Sequence, residues 1–299
     1  MISNFLKQRT ATIQLNGTSI STSVEKGCPQ GSILSPFLWN IVVDETLNLQ
    51  LAPGIQIQAY ADDLIITKTG LNCDDIKNCL EGACEALVNW GKSVKLEFAS
   101  NKTELIVFTR KRSELNLTLK INNVQIHPSK TVKYLGVLLD QKLTWRPHIE
   151  YRCKLTSRAI MDLRRFSRLT WGPNTKILKR IYESISVPML LYAAPIWSEA
   201  NKYKWCVTKL RAVQRKMLVS TVRSFRWISI KSALVLTNRL PMEKRAQQLS
   251  ALASLKQSCS HSEITRDLLS QANIEAAEIP NTKIAWAKTK TLIHEVLRR

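Results

Sequence analysis

Residues 55–66 read IQIQAYADDLII, and this stretch decides how the first half of the chain folds. Apolar side chains alternate with glutamines up to Tyr60, and a second apolar run begins at Leu64. Alternation with a period of two residues, interrupted by a short acidic break, is typical of two strands joined by a tight turn. The stretch therefore predicts a β-hairpin with Asp62 and Asp63 at its tip.

Two adjacent carboxylates at a hairpin tip have two interpretations. Polymerases use carboxylates to hold the two Mg²⁺ ions that stabilise the attacking and leaving oxygens in phosphoryl transfer. Asp is also a common turn residue, because its side chain hydrogen-bonds to nearby backbone. The chain offers its own comparison, since Asp74-Asp75 is the same dipeptide without flanking strands. The dipeptide by itself therefore leaves both interpretations open.

The composition predicts a globular, intracellular protein. The chain has 299 residues, of which 44% are hydrophobic, so it can bury one large core or two ordinary ones. Its longest nearly apolar run, residues 187–197, contains two prolines and is too short to span a bilayer. The amino terminus does not resemble a secretory signal. We therefore expect a nuclear or cytoplasmic location rather than secretion.

The cysteines also favour a reducing compartment. The chain has seven of them, scattered and without a Cys-x-x-Cys spacing. An odd, dispersed set argues against a disulfide framework and against a zinc knuckle. The four histidines are isolated, so we expect surface or packing roles for them rather than metal ligation.

The positive charge is unevenly distributed along the chain. Residues 1–150 carry 16 Lys and Arg against 14 Asp and Glu, whereas residues 151–299 carry 28 against 9. A half-chain with a net charge of +19 is the electrostatic pattern of a nucleic-acid binder. An anionic membrane surface and simple solubility are the alternatives. The basic residues are spread over several predicted helices, which argues against a membrane-surface helix.

Two helices are predicted in the first half of the chain. Ser35 can cap the first and Pro36 suits its first position. Asn72 or Asp74 can open the second, and Gly91 is expected to close it. Their predicted apolar faces consist of Leu34, Leu38, Ile41 and Val42 in the first helix and Ile76, Leu80, Ala83 and Leu87 in the second.

Further strands are predicted around these helices. A hairpin is expected over residues 11–26 because Asn16-Gly17 favours a two-residue turn. The other predicted strands contain Val94, Leu96 and Phe98, then Leu105 to Phe108, then Leu115, Leu117, Leu119 and Ile121 before a turn at Asn122-Asn123, and finally Tyr134 to Leu139. Together these elements predict an α+β segment over roughly residues 1–147.

Beyond residue 147 the pattern changes to helices. Two apolar stripes recur at helical spacing and are expected to form core. They consist of Cys206, Leu210, Val213 and Met217 in one helix and of Met242, Ala246, Leu249 and Ala253 in another. Lys204, Arg211 and Arg215 share the opposite face of the first of these helices. We expect these three residues to contact nucleic-acid phosphates.

A second informative stretch, residues 27–36, reads GCPQGSILSP and precedes the Asp pair by about 30 residues. The combination resembles reverse transcriptases of LINE-type (non-LTR) retrotransposons, particularly jockey-like arthropod elements. Residues 98–108 and the VKYLGV stretch at 132–137 look like the next two motifs of that family. A Trp145-x-x-His148 stretch then follows, as is common in this group.

The resemblance implies a fold and a reaction. Residues 1–147 would form an incomplete polymerase palm, an antiparallel sheet with helices. Residues 148–299 would form a basic, all-helical thumb and C-terminal extension. The parent reaction is RNA-directed DNA synthesis, a nucleotidyl transfer that adds deoxynucleotides from their triphosphates to a DNA primer on an RNA template and uses Mg²⁺.

The resemblance also implies roles for individual residues. Asp62 and Asp63 would ligate the catalytic Mg²⁺, and Lys102 would donate a proton to the leaving pyrophosphate, although a solvated turn lysine is the alternative. The remaining implied sites are Pro29, Gln30, Gly31 and Tyr60 for nucleotide and template, and Leu135 and Gly136 for the primer grip.

The sequence departs from the family pattern in one respect. These polymerases use a third carboxylate on a strand upstream of the Pro-Gln-Gly segment, and Glu25 is the only acidic residue before Gln30. The chain is thus expected to begin inside the palm and to be inactive when isolated. A non-catalytic nucleic-acid-binding remnant and a helical protein-interaction module are the alternative functions.

Overall fold

The computed structural model describes residues 9–24, 27, 31–109, 117–165, 171–224 and 227–259, with side chains up to residue 256. The chain forms two compact units. The first comprises residues 1–105 and 113–128, and the second comprises residues 106–112 and 129–299. None of the described helices combines the length and hydropathy needed to cross a bilayer.

The first unit contains six strands and two longer helices within its described residues. In chain order they are β1 Thr10–Leu15, β2 Thr18–Ser23, α1 Ser35–Leu47, β3 Ile55–Tyr60, β4 Asp63–Lys68, α2 Cys73–Ser93, a 3₁₀ turn Ser100–Lys102, β5 Leu119–Ile121 and β6 Val124–Ile126. The strands pair as three separate antiparallel hairpins, β1 with β2, β3 with β4 and β5 with β6. The α+β class predicted from the sequence agrees with this mixture.

The turns of the first and third hairpins are confirmed. Asn16 and Gly17 both have positive φ, +48° and +82°, and so do Asn122 and Asn123, at +48° and +64°. Two successive positive φ angles are those of a type I′ turn, whose twist matches paired strands and which Asn and Gly tolerate best. Local sequence therefore determines both turns. Leu115 of the predicted strand lies outside the described residues.

Helix α2 provides the core of the first unit. It begins as predicted, because the Asn72 side chain accepts a hydrogen bond from the Asp74 backbone N–H. Its predicted inner face is mainly correct. The residues that it buries are Leu80, Ala83, Cys84, Leu87 and Gly91. Cys84 packs with Ile121 of β5 and Ile126 of β6.

The predicted end of α2 at Gly91 is wrong, because the helix continues to Ser93. Lys95 takes the left-handed conformation, with φ +60°. The Leu96 N–H then donates to the Gly91 carbonyl at 2.7 Å, and the Lys95 N–H donates to the Lys92 carbonyl at 3.3 Å. These two bonds are a Schellman motif, in which a left-handed residue satisfies the last helical carbonyls. Gly91 lies one turn earlier, where the lack of a Cβ leaves room for the Leu96 carbonyl.

The strands predicted at residues 94–98 and 105–108 do not form. The left-handed Lys95 redirects the chain, and a 3₁₀ turn occupies Ser100–Lys102. Leu105 makes only an isolated bridge with Pro128. Alternating apolar residues do not produce strands here, because the helix cap determines the backbone path of the residues that follow it.

The details of α1 also differ from the prediction. The helix begins at Ser35 itself, and Leu34 occupies the cap position without a side-chain cap bond. Its buried residues are Ser35, Val43 and Thr46, whereas Ile41 is exposed. Apolar residues surround most of this helix, so periodicity could not select one face.

The second unit consists of one hairpin and a set of helices. Its described elements are β7 Thr131–Tyr134, β8 Val137–Asp140, α3 Arg146–Arg165, α4 Thr175–Ile181, a π turn Tyr182–Ser186, α5 Val187–Leu190, α6 Ala194–Trp197, a 3₁₀ turn Ser198–Lys202, α7 Lys204–Val222, α8 Ile230–Thr237 and α9 Met242–Cys259. The single strand predicted over 134–139 is therefore two strands joined at Leu135-Gly136. The hairpin belongs to the same compact unit as the helices, since the second unit includes all residues from 129 onward.

The helical stripes predicted for the second unit are buried. Cys206, Leu210, Val213 and Met217 all lie in its core, as do Met242 and Ala246. Leu249 and Ala253 are half-buried.

Gln214 makes a further core contact that the sequence does not indicate. Its side-chain amide is fully buried, donates to the Leu240 carbonyl at 2.8 Å and to the Tyr182 hydroxyl at 3.1 Å, and accepts from the Met242 N–H at 3.0 Å. Burial of these polar groups is tolerated because each finds a partner.

A pair of glycines in α2 tests the packing at the end of this helix. A Cβ at position 91 would lie 2.8 Å from the Leu96 carbonyl oxygen and 3.1 Å from the Phe98 ring. Gly91→Ala is therefore expected to lower the free energy of unfolding by about 1–3 kcal/mol. Gly82→Ala is the matched control, since no atom lies within 4 Å of that Cβ.

The control is expected to raise stability by about 0.5–1 kcal/mol, because alanine favours a helix over glycine. Urea unfolding of the two variants measures both changes. Equal changes of the same sign would contradict the described close approach.

Candidate active site and nucleic-acid interface

The Asp pair lies at the tip of a hairpin, as predicted. Tyr60 pairs with Asp63 across the β3–β4 ladder, so Ala61 and Asp62 form a two-residue loop. Both carboxylates are exposed. Ala61 has φ +53°, an uncommon conformation for a residue with a Cβ. The other end of the hairpin is held as well, because the Lys68 ammonium donates a hydrogen bond to the Pro53 carbonyl at 2.7 Å.

A tryptophan from α1 holds this tip. The Trp39 indole N–H donates to the Ala61 carbonyl at 2.8 Å. Helix α1 is connected in turn to α2, because the Trp90 indole N–H donates to Glu45 Oε2 at 3.1 Å. A left-handed alanine costs about 1–2 kcal/mol, and such strain persists only where its surroundings impose it. The two indoles therefore link the Asp pair to both helices of the first unit.

The Asp pair suits part of a magnesium site. Mg²⁺ is commonly held by one or two carboxylates, with water and substrate phosphates completing its shell. Asp62 and Asp63 supply those two carboxylates in an accessible position. Within the described ranges, no group of three His, Cys, Asp or Glu side chains is close enough to hold a metal ion. The described residues thus fit a shared site that substrate phosphates complete.

The other residues predicted for this site are less fully described. Pro29 and Gln30 lie outside the described residues. Gly31 has φ +84° with open space around its Cα, so its backbone conformation favours glycine. Tyr60 is half-buried beside the tip, and Lys102 is exposed on the 3₁₀ turn. Their roles in binding and proton transfer stay predictions.

The second unit contains the hairpin predicted to grip a primer. Its turn residues, Leu135 and Gly136, have φ +45° and +78°. The Tyr192 hydroxyl donates to the Leu135 carbonyl at 2.8 Å. A Cβ at position 136 would lie 3.2 Å from the Tyr192 ring, so glycine allows this close approach. The Arg152 guanidinium lies 4.6 Å from the centroid of that ring, and the turn is therefore clamped by the helical part of the unit.

His148 supports the same hairpin from within the core. Its side chain is fully buried, Nδ1 accepts the Leu138 N–H at 3.2 Å, and Nε2 lies 3.4 Å from the Tyr192 carbonyl. The Trp197 indole N–H donates to that carbonyl at 2.8 Å. Burial lowers the pKa of His148 to about 4. A neutral imidazole therefore connects β8 to the segment that carries Tyr192.

The loop before α3 explains the rest of the Trp145-x-x-His148 stretch. Leu143 and Trp145 both have positive φ, +49° and +64°. Asp140 stabilises these turns, since its carboxylate accepts hydrogen bonds from the Thr144 and Trp145 N–H groups at 2.8 and 2.9 Å. Trp145 itself is buried in the core. The stretch thus determines where α3 begins.

The three residues predicted to contact phosphate have different surroundings. Lys204 is exposed at the start of α7. Arg211 forms an ion pair with Glu243 at 2.5 Å, and Arg215 Nε donates to the Ile228 carbonyl at 3.1 Å. The two arginines therefore support the fold of the second unit. Contact of any of the three with phosphate stays a prediction.

The basic character of the second unit is nevertheless pronounced. Residues 151–259 carry 22 Lys and Arg against 4 Asp and Glu. Three of these four acidic side chains, Asp162, Glu183 and Glu243, form ion pairs with arginines. The acidic groups thus neutralise little of the surface, which leaves a strongly positive field that attracts polyanions.

Comparison with known proteins shows what the chain is similar to. Residues 1–139 match the family described as reverse transcriptase (RNA-dependent DNA polymerase). A putative 115 kDa protein of the retrotransposable element R1DM of Drosophila melanogaster is 25% identical, over 98% of this chain and 28% of its own length. A Pol polyprotein of the type-1 element R1 of Nasonia vitripennis is 25% identical, over 91% of this chain and 80% of its own length.

A third relative is the RNA-directed DNA polymerase of the mobile element jockey of Drosophila funebris, 27% identical over 73% of this chain and 24% of its own length. The chain spans about a quarter of the length of the R1DM and jockey proteins. No solved structure matches it. The chain is therefore similar to reverse transcriptases over residues 1–139. Over most of its length it is also similar to proteins of the R1DM and jockey elements.

Two residues that hold turns of the candidate sites were not predicted from the sequence. Trp39 lies in a largely apolar stretch of the sequence, which gives no signal that its indole reaches the Ala61 carbonyl. Tyr192 is the one residue with a hydroxyl between Pro188 and Pro195, and this is the signal that could have indicated it. The Tyr192 hydroxyl donates its hydrogen bond to the turn of the predicted primer grip.

The buried His148 predicts a pH-dependent stability. Its pKa in the folded protein, about 4, is below the usual 6.5, so the unfolded chain binds a proton first as the pH falls. The stability present above pH 6.5 is thus lost progressively down to about pH 4, by on the order of 3 kcal/mol. Denaturant unfolding between pH 7 and 4 measures this loss.

Two variants separate this effect from other titrations. His148→Gln removes the titrating group, so the pH dependence is expected to become shallower even though the variant is less stable throughout. His127→Gln, at an exposed position of the first unit, is expected to leave the profile unchanged. An unchanged slope in His148→Gln would contradict the buried neutral imidazole.

Proposed function

We propose that the chain carries part of the active site of an RNA-directed DNA polymerase of a non-LTR retrotransposon. The observation that carries the proposal is the Asp62-Asp63 tip, which Trp39 holds from the helix that follows the Pro-Gln-Gly segment. The family match over residues 1–139 supports it. The substrates are deoxynucleoside triphosphates, a DNA primer and an RNA template, and the site of action is intracellular.

Different residues would have different roles in nucleotide addition. Asp62 and Asp63 would hold Mg²⁺, which stabilises the attacking and leaving oxygens when bound. Lys102 would protonate the leaving pyrophosphate. Pro29, Gln30, Gly31 and Tyr60 would contact the template base and incoming nucleotide. Leu135 and Gly136 would position the primer, and the fixed turn that Tyr192 clamps supports this role because a fixed geometry favours an in-line attack.

We further propose that this chain does not extend a primer by itself. Two exposed carboxylates form only part of a ligand set, and the described residues bring no third acidic group close to them. A weakly held metal gives little stabilisation to the developing charge, because electrostatic catalysis depends on preorganised groups.

Primer extension by the purified chain tests this proposal. A labelled DNA primer on an RNA template with Mg²⁺ and deoxynucleotides is expected to give no longer product. The same reaction with Asp62→Asn is the control. Extension by the unmodified chain, lost in Asp62→Asn, would contradict the inactivity and would at the same time confirm the catalytic Asp.

A second candidate function is nucleic-acid binding without catalysis, which the charge of residues 151–259 favours. Lysine and arginine bind phosphates largely by releasing condensed counterions. The second unit would then hold a polynucleotide whether or not Asp62 and Asp63 act.

Salt titration of binding tests the second candidate. If about six or more phosphates are contacted, affinity is expected to fall by roughly a thousandfold between about 50 and 200 mM salt. Asp62→Asn and Asp63→Asn are expected to bind as tightly as the unmodified chain. Fluorescence anisotropy with a labelled oligonucleotide gives both results, and binding that is absent or insensitive to salt would exclude this function.

A further inference from the structure

Two tryptophans of the second unit are unusually exposed. The Trp227 side chain is 80% exposed and that of Trp171 is 56% exposed. Tryptophan is highly buried on average, because its side chain gains more than most from leaving water. A single exposed apolar residue needs no explanation, so the question is whether these two form one surface.

Arg223 connects the two tryptophans. It ends α7 with φ +51°, and its guanidinium donates to the Gly172 carbonyl at 3.1 Å and to the Pro173 carbonyl at 2.6 Å. Trp171 directly precedes these carbonyls. Trp227 follows Arg223 by four residues, which span at most about 14 Å. Arg223 thus contacts the backbone next to Trp171 and lies close to Trp227 along the chain, and the three side chains are hereafter called the Arg223 platform.

The backbone around both indoles is anchored. The carbonyls that follow Trp171 are held by Arg223. Ile228, which follows Trp227, accepts a hydrogen bond from Arg215 Nε at 3.1 Å and packs against the core of the unit. The indoles are thus exposed although their attachment points are fixed. An aromatic surface that is fixed in advance loses little conformational entropy when it binds.

The charge around the platform determines which partner fits. Residues 163–182, which include Trp171, contain six Lys and Arg and no Asp or Glu. Residues 204–242, which include Arg223 and Trp227, contain nine Lys and Arg and no Asp or Glu. Arg223 joins these two acid-free stretches. The partner must therefore combine negative charge with flat apolar faces.

We propose that the Arg223 platform stacks unpaired bases of a single-stranded nucleic acid while neighbouring basic side chains contact its phosphates. Proteins that hold single strands combine aromatic side chains with a positive groove, because every base has a π-face. In a duplex those faces are stacked on each other and are not accessible. The inference rests on the proposed nucleic-acid binding and deepens it, since it names the strandedness of the ligand and the residues that read it.

Binding of labelled oligonucleotides to the full chain tests the platform. The probes are single strands of about 16 nucleotides: oligo-dT, oligo-rU and an abasic strand of the same length and charge. Trp171→Ala and Trp227→Ala are each expected to weaken binding of a strand with bases by roughly 5- to 100-fold, the range of one base-aromatic stack. Affinity for the abasic strand is expected to stay unchanged.

Three controls make the result specific. Tyr203→Ala removes another exposed aromatic of the same unit, 57% exposed, and is expected to leave binding unchanged. Trp171→Phe and Trp227→Phe retain a π-face and are expected to keep most of the affinity. Thermal unfolding verifies that each variant is folded.

The possible outcomes are distinguishable. The probe, RNA or DNA, whose affinity falls more in the alanine variants identifies the preferred ligand. Unchanged affinity in both alanine variants, or an equal loss on the abasic strand, contradicts the platform while the proposed nucleic-acid binding still holds. If the unmodified chain binds a duplex of the same length but none of the three probes, the platform is contradicted; if it binds neither, the proposed binding function itself is overturned.

Discussion

The hydrogen bond from the Trp39 indole to the Ala61 carbonyl is the interaction on which the candidate catalytic site depends. The hairpin tip that carries Asp62 and Asp63 contains a left-handed alanine, which a free peptide would avoid. The indole fixes that peptide group from α1, and Trp90 fixes α1 to α2 through Glu45. Two carboxylates on an unconstrained turn would be ordinary turn residues, whereas here the fold presents them in a fixed position.

The second unit fixes its own hairpin by the same means. The Tyr192 ring packs closely against Gly136, and its hydroxyl donates a hydrogen bond to the Leu135 carbonyl. His148 connects the neighbouring strand to the Tyr192 backbone. In both units an aromatic side chain, Trp39 or Tyr192, donates its one polar hydrogen to the backbone of a tight turn. Such a contact combines apolar burial with a directed hydrogen bond. The residues expected to touch substrate can therefore remain exposed without becoming mobile.

Local sequence predicted the hairpins best. Asn-Gly and Asn-Asn turns and alternating apolar residues determined three of them, because turn chemistry acts over few residues. Asp74-Asp75, the comparison dipeptide, lies in the first turn of α2, where acidic groups interact favourably with the helix dipole. The predictions of the strands after α2 and of the buried face of α1 were wrong. The path after α2 depends on the helix cap at Lys95 and the Gly91–Leu96 approach, and the buried face of α1 depends on the burial of Val43 and Thr46, neither of which periodicity contains.

The candidate site was predictable where its residues form a contiguous motif and unpredictable where distant residues support it. Asp62 and Asp63 could be found from one stretch, whereas Trp39, Tyr192 and Arg223 act on backbone groups 22 to 57 residues away. The charge of the second half could be counted, yet Arg211 and Arg215 are used within the fold. A count of basic residues therefore indicates the class of ligand but not the residues that bind it.

The central claim, that the Asp62-Asp63 tip is a divalent-metal site, has a direct measurement. Mn²⁺ added to the isotopically labelled chain broadens the NMR signals of nuclei close to the bound ion. The account predicts that broadening begins at residues 60–63 and is lost in Asp62→Asn, while Asp74→Asn changes nothing. Broadening that does not include the hairpin tip, or that persists unchanged in Asp62→Asn, would contradict it.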